Sequence, residues 1–237
     1  MDSFIKYVRT NPDFYASSEE DLLGIYRSLC HKIDQLLPLY FSEIPRSKLE
    51  IVAKTRGPSA FYLAGTSDGK RPGRFYVNVD NLKGKPTYEC VALTLHEAVP
   101  GHHHQMSLAS ENKFIPTFLS NIEDRRYEVC PCRRPLYTAY IEGWALYCEY
   151  LGEEMGLYTS PYEIFGRLSM EMMRAVRLVV DTGMHAKGWS IDQSVNYMME
   201  KTGMHQKEVE AEVKRYASWP GQACAYKIGQ LEIIKLR

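Results

Sequence analysis

The run His96-Glu97-Ala98-Val99-Pro100-Gly101-His102-His103-His104 holds four of the chain's seven histidines and one carboxylate. Imidazoles and carboxylates at helical spacing are ligands for a transition-metal ion. In an H-E-x-x-H helix two histidines one turn apart hold zinc, and the Glu between them takes a proton from water. Here Pro100-Gly101 falls where the second histidine would stand. On a straight helix His103, seven residues on, sits two turns above His96, too far for both to reach one ion. The helix cannot stay straight, because Pro100 has no N–H and crowds the carbonyl of His96, so it bulges or breaks. A bulge brings His102 to the ligand place; a cleaner break presents His103.

Catalytic zinc usually takes three protein ligands and leaves a position for water. Glu142 is the candidate third ligand, for it lies among apolar and aromatic neighbours in Tyr137–Glu149, where a buried carboxylate needs a positive partner. An arginine would serve as well as a metal. Glu149, seven residues on, shares the Glu142 face and is placed to orient a ligand histidine; a surface salt bridge is the plainer role for either.

Arg174, Arg177, Asp181 and His185 form a polar stripe along an otherwise apolar helix, facing a wet interior. Arg177 and Asp181 read as an ion pair, or as substrate contacts. His185 could steady an oxyanion, with Asp181 setting its tautomer. Tyr226, after a Pro-Gly helix start, could donate to a transition state or serve as a buried structural tyrosine. The segment Asp68–Asn78 precedes the histidines closely; as an edge strand it could bind extended substrate, with Asn78 at its end, or be a plain hairpin.

The elements that must position these groups are mostly helices. Ser17-Ser18-Glu19-Glu20 has the form of a capping box, and Leu22 to Leu37 follow at helical spacing. Between 49 and 79 the texture is β-prone, with strands expected at 49–53, 60–64 and 74–79 around the turns Asp68-Gly69 and Pro72-Gly73. Helices are expected at about 88–99, 102–112, 136–155, 161–187, 191–202, 206–217 and 221–236. The expected architecture is mainly α with a small β ribbon or sheet, in a single domain over 1–237.

Composition narrows the partners. A 45% hydrophobic chain of 237 residues can bury a sizeable core, and 29 basic against 29 acidic residues leave no field for nucleic acid or an anionic membrane surface. The start of the chain lacks the apolar run of a signal peptide, and no stretch approaches the roughly 18 apolar residues of a membrane span, so the default expectation is a cytoplasmic protein. The six cysteines are expected to be reduced and mostly buried, with Cys130-Pro131-Cys132 in a loop.

His-Glu-Ala-Val-Pro-Gly-His-His (96–103), Glu-Gly-Trp-Ala-Leu-Tyr (142–147), the run from Arg174 to Trp189, Pro-Gly-Gln-Ala-Cys-Ala-Tyr-Lys-Ile-Gly (220–229) and Asp-Gly-Lys-Arg-Pro-Gly (68–73) closely resemble the domain-of-unknown-function family 885. The resemblance runs over nearly the whole chain. It implies a helical fold related to gluzincin zinc metallopeptidases, with His96, His102 or His103, and Glu142 as ligands and Glu97 as general base. Dipeptidyl peptidase III is more loosely similar, in that its motif also carries an extra residue between the histidines. Family members are longer, and the resemblance places this chain at their C-terminal portion. His104 stands where the family tends to carry an apolar residue.

The expected function is a zinc-dependent hydrolase with one ion, acting on small peptides or amides. The alternative is a non-catalytic helical domain, or an inactive fragment, with structural histidines. Two His and one carboxylate would also suit an oxygen-activating iron.

Overall fold

The computed structural model describes residues 2–66, 68–116 and 137–237. Its helices are α1 (Asp2–Thr10), α2 (Glu19–Tyr40), α3 (Cys90–Glu97), α4 (His102–Glu111), α5 (Thr138–Glu154), α6 (Pro161–Lys187), α7 (Ile191–Lys201), α8 (Gln206–Ser218) and α9 (Ala225–Leu236). The expectation of a mainly helical fold with a small β element holds. The sequence pattern does not foresee α1. Expected helix 88–99 becomes a 3₁₀ turn at Thr87–Glu89 followed by α3, and expected helix 221–236 becomes a 3₁₀ turn at Gln222–Cys224 followed by α9. Position 136 and Cys130-Pro131-Cys132 lie outside the described residues. Cys30, Cys90, Cys148 and Cys224 are free and buried, as expected.

Local chemistry accounts for the helix ends. The cap of α2 is Ser18, whose hydroxyl accepts from the Asp21 N–H, one residue later than the Ser17–Glu20 pattern suggests. At α6 the fit is closer: Ser160 and Glu163 form a full capping box, Pro161 occupies the first turn, and Gly188 closes the helix at φ 70°.

The strands β1 (Leu49–Lys54), β2 (Ala60–Leu63) and β3 (Gly73–Asn78) form one sheet in the order β1-β3-β2. β3 is central, antiparallel to β2 with Phe61 opposite Tyr76 and parallel to β1 with Val52 opposite Tyr76. Because side chains alternate across a strand, Phe75 and Val77 point together into the core, where Phe75 meets the Tyr26 ring edge-on at 5.1 Å. That core joins Leu22, Ile33 and Leu37 of α2 to Leu95 of α3 and Leu151 of α5. Each such fully buried aliphatic side chain stabilises the fold by roughly 1.5–3 kcal/mol. A second core, Val176, Val180, Met198, Val209, Val213 and Tyr216, fastens α6 to α7 and α8. The α3–α5 layer carries the histidines and Glu142; α6 and α9 carry the arginines and Tyr226.

Candidate metal centre

Helix α3 stops at Glu97, and after four intervening residues α4 begins at His102. The chain breaks at Pro100-Gly101. The break is compact: the Ala98 carbonyl accepts from the His103 N–H at 3.1 Å, and the Pro100 carbonyl accepts from the Trp144 indole N–H at 2.8 Å. Gly101 is required here for close approach, since an added Cβ would collide with the carbonyl oxygens of Leu95 and His96. The outcome combines the two expected cases, because the helix breaks and yet His102 is the histidine that comes back to His96. Their rings lie edge to face at 4.9 Å.

Glu142 of α5 closes the cluster. Its Oε2 lies 3.5 Å from His96 Nε2 and 3.3 Å from His102 Nε2, and one ligand atom from each of the three residues falls within 4.8 Å of the others. Glu142 Oε2 is buried without an aligned hydrogen bond, as is His102 Nδ1. Behind His96, Nδ1 donates to Glu149 Oε1 at 2.7 Å, which fixes the ring so that Nε2 faces Glu142. Burial alone would push the His96 imidazole down; the Glu142 and Glu149 carboxylates outweigh it and raise it to about 9. Burial likewise opposes the Glu142 carboxylate, but His102 and His96 hold it well below the usual range. Two nitrogens and one carboxylate oxygen, drawn together without mutual hydrogen bonds, are a donor set that fits a zinc-like cation.

Glu97 is buried with Oε2 unpartnered. Burial raises its carboxyl, His96 and His102 pull it back, and Glu142 adds to the rise. A carboxylate shifted up toward neutrality is suited to accept and return a proton. The Tyr226 ring stacks on His96 at 6.0 Å and 22° between planes, so the structure also brings this residue to the cluster.

Other expected residues go elsewhere. His103 turns to the sheet, with Nδ1 3.0 Å from the Tyr62 hydroxyl and Nε2 3.1 Å from the Ser47 carbonyl oxygen. Both ring nitrogens are thereby engaged, and His103 ties α4 to β2. His185 is exposed and pairs Nε2 with the Tyr216 carbonyl at 3.0 Å, with no contact to the cluster. Asp181 does not set the His185 tautomer; both its oxygens accept from the Gly221 N–H, at 3.0 and 3.1 Å, and so hold the turn that leads into Tyr226. Arg177 does not pair with Asp181. It pairs with Glu212 at 2.7 Å and donates from Nε to the Tyr216 hydroxyl at 3.1 Å, while its guanidinium lies 4.7 Å from the centre of the Tyr226 ring. The stripe is therefore packed against α8 and α9, and Arg174 and Arg177 are both buried. Asn78 closes a loop through the Gly57 carbonyl and the Asp80 N–H. It belongs to the central strand, so a substrate strand would have to add to β2 or β1 instead.

Sequence reasoning missed three supporting residues. Trp144, which pins the Pro100 turn, and Tyr62, which holds His103, are read there only as part of apolar runs. Glu212 carries no motif, and reading Arg177 as the partner of Asp181 left no cation that called for a carboxylate from another element.

Fold and cluster together define a mainly helical protein with a buried two-histidine, one-carboxylate centre. The chain belongs to the family described as bacterial protein of unknown function (DUF885), whose profile matches residues 1–237. It is similar to the crystal structure of a candidate lipoprotein from Colwellia psychrerythraea, with 34% identity and a TM-score of 0.90 over 100% of this chain and 40% of that one. A candidate lipoprotein of unknown function from Shewanella oneidensis shares the fold, with 20% identity and a TM-score of 0.73 over 99% of this chain and 42% of that one. The chain thus spans about two fifths of the length of either. No curated protein matches it. Among the described residues no helix is long and apolar enough to cross a membrane.

Proposed function

We propose that this chain is the metal-binding portion of a zinc-dependent hydrolase acting on small peptides or amides. The carrying observation is spacing: two ligand atoms about 2.0–2.1 Å from a tetrahedral zinc lie ~3.4 Å apart, and His96, Glu142 and His102 present theirs at 3.5 and 3.3 Å. His96, His102 and Glu142 would hold one ion, which when bound supplies a Lewis acid for the scissile carbonyl and an acidified water. Glu97 takes the proton from the attacking water as the C–O bond forms, and returns it to the amine nitrogen as the C–N bond breaks. The Tyr226 hydroxyl steadies the charge that develops on the carbonyl oxygen. Outer strand β2, joined to α4 through Tyr62 and His103, offers backbone for an extended substrate.

The relation to gluzincin peptidases and the place of the chain, as one domain at the C-terminal portion of a longer family member, are part of the same proposal. A cytoplasmic location competes with an envelope location by analogy with the candidate lipoproteins; cell fractionation separates them. The second reading is a non-catalytic helical domain or inactive fragment whose histidines are structural, and the observation in its favour is His103, held at both ring nitrogens by the Tyr62 hydroxyl and the Ser47 carbonyl.

Elemental analysis and turnover of a fluorogenic peptide panel decide between the readings. One zinc per chain is expected, with Glu97→Gln retaining the metal and losing turnover by at least ~100-fold. Stoichiometric iron, or no metal and no activation on adding zinc, would overturn the zinc hydrolase.

A further inference from the structure

Arg174 has no part in the proposed chemistry, yet it is buried in α6 behind the ligand histidine. Its Nη2 lies 3.6 Å from Glu149 Oε1, the oxygen that accepts from His96 Nδ1, and its Nη1 donates to the Met170 carbonyl at 3.1 Å. The same guanidinium stands 5.7 Å from the centre of the Tyr226 ring, which stacks on His96. Glu149 is only 1% exposed, and its Oε2 has no hydrogen-bond partner. A carboxylate so placed is costly to bury unless a cation answers it. A neutral ligand imidazole offers Glu149 a hydrogen bond but no charge. Among the described residues, the cation in ion-pair reach of Glu149 other than His96 is Arg174.

We infer that Arg174 is a positioning residue for the metal centre: it anchors the Glu149 carboxylate that aligns His96, and so sets metal affinity without touching the ion. The inference rests on the metal-site reading above. Lysine is a poor substitute, because the guanidinium spans the Met170 carbonyl, the Glu149 carboxylate and the Tyr226 ring at once, whereas an ammonium is a point charge.

The test is zinc affinity by competition with a chromophoric chelator, read alongside circular dichroism of each variant. Partners behind a ligand histidine typically contribute about 10- to 100-fold to affinity, so Arg174→Met should weaken binding within that range and Arg174→Lys by less. Glu149→Gln should cost a similar factor, and adding Arg174→Met to it should cost almost nothing more, because both act through one path. Arg167→Met is the control: Arg167 is equally buried two turns earlier on α6 but pairs with Glu153 and Glu171, and its loss should leave affinity unchanged. Wild-type affinity in a folded Arg174→Met, or in Arg174→Lys should the first not fold, overturns the inference, as do multiplicative losses in the double variant. Failure of the wild-type chain to bind zinc instead overturns the metal site itself.

Discussion

His104 follows the two histidines already placed and does a different job. Its ring lies 4.8 Å from that of Phe41, it is 2% exposed, and its Nδ1 is buried without a partner. Burial pulls its imidazole down to about 4. The unfolded chain therefore takes up a proton near pH 6.5 that the folded chain refuses until about pH 4. Stability contributed by the neutral ring is present above pH 6.5 and lost as pH falls toward 4, by at most ~3 kcal/mol. His103, lowered to about 4 by burial against the opposing pull of the Ser47 carbonyl, acts in the same direction. In metal-free protein, His104→Leu should gain about 1 kcal/mol at pH 7 by removing an unpartnered polar atom, and should lose roughly half of the acid sensitivity between pH 6.5 and 4. Urea titrations across that pH range measure both; an unchanged pH slope would show that His104 is not the group responsible. The contrast among His102, His103 and His104 also marks what sequence carries at this scale. Spacing nominates His102 and His103, but which of them meets Glu142 and which meets Tyr62 depends on the rotation introduced by the Pro100-Gly101 break, and no local pattern encodes that angle.

Helices α5 and α9 cross closely beside the cluster, and glycine makes the crossing possible. A Cβ on Gly229 would collide with the Ala139 carbonyl, and one on Gly143 with the Gly229 backbone. Glu142 precedes Gly143, and Tyr226 lies three residues before Gly229, so this crossing registers the carboxylate against the phenol. Gly229→Ala must push the helices apart. Overpacking of this kind typically costs about 1–3 kcal/mol, and the displaced α9 should carry Tyr226 off the His96 ring. A lower denaturation midpoint is expected together with turnover loss at retained metal, because none of the three candidate ligands is on α9; a stable variant with normal turnover would count against the register argument. Helix existence and type were legible along most of the chain because apolar periodicity and cap patterns such as Ser17-Ser18-Glu19-Glu20 are local. The β1–β3 pairing was not, since parallel neighbours with β3 in the middle depend on contacts distant in sequence, and β3 thereby ceased to be the edge that the segment before Asn78 suggested. Arg177 and Asp181 mislead for the same reason. Four residues apart on one helix, they read as partners, yet each is satisfied from another element, by Glu212 of α8 and by the Gly221 turn.

At the scale of the molecule, the cluster joins α4, none of whose residues belongs to either hydrophobic core, to α3 and α5, which the first core already packs together. His96 ends α3, His102 starts α4 and Glu142 lies in α5; between the last two fall residues 112–137. The three donors converge with no hydrogen bond to Glu142 Oε2, and Glu97, Glu142 and Glu149 crowd negative charge around the two imidazoles. An ion on those donors would relieve that repulsion in the folded chain, while the unfolded chain presents no such arrangement. Binding free energy then appears as stability, by about 2.7 kcal/mol at free metal one hundred times the dissociation constant. For a chain of this size that corresponds to a rise in Tm of roughly 5–10 °C. The rise should grow with the logarithm of zinc concentration, reverse with chelator, and vanish in Glu142→Ala, whereas Glu97→Gln should keep it because Glu97 is not among the three donors. A rise of the same size in Glu142→Ala would place the stabilising zinc elsewhere on the surface. Calorimetry with and without zinc on these three proteins therefore tests the centre independently of any substrate, and separates a folded metal site from a cluster of structural histidines.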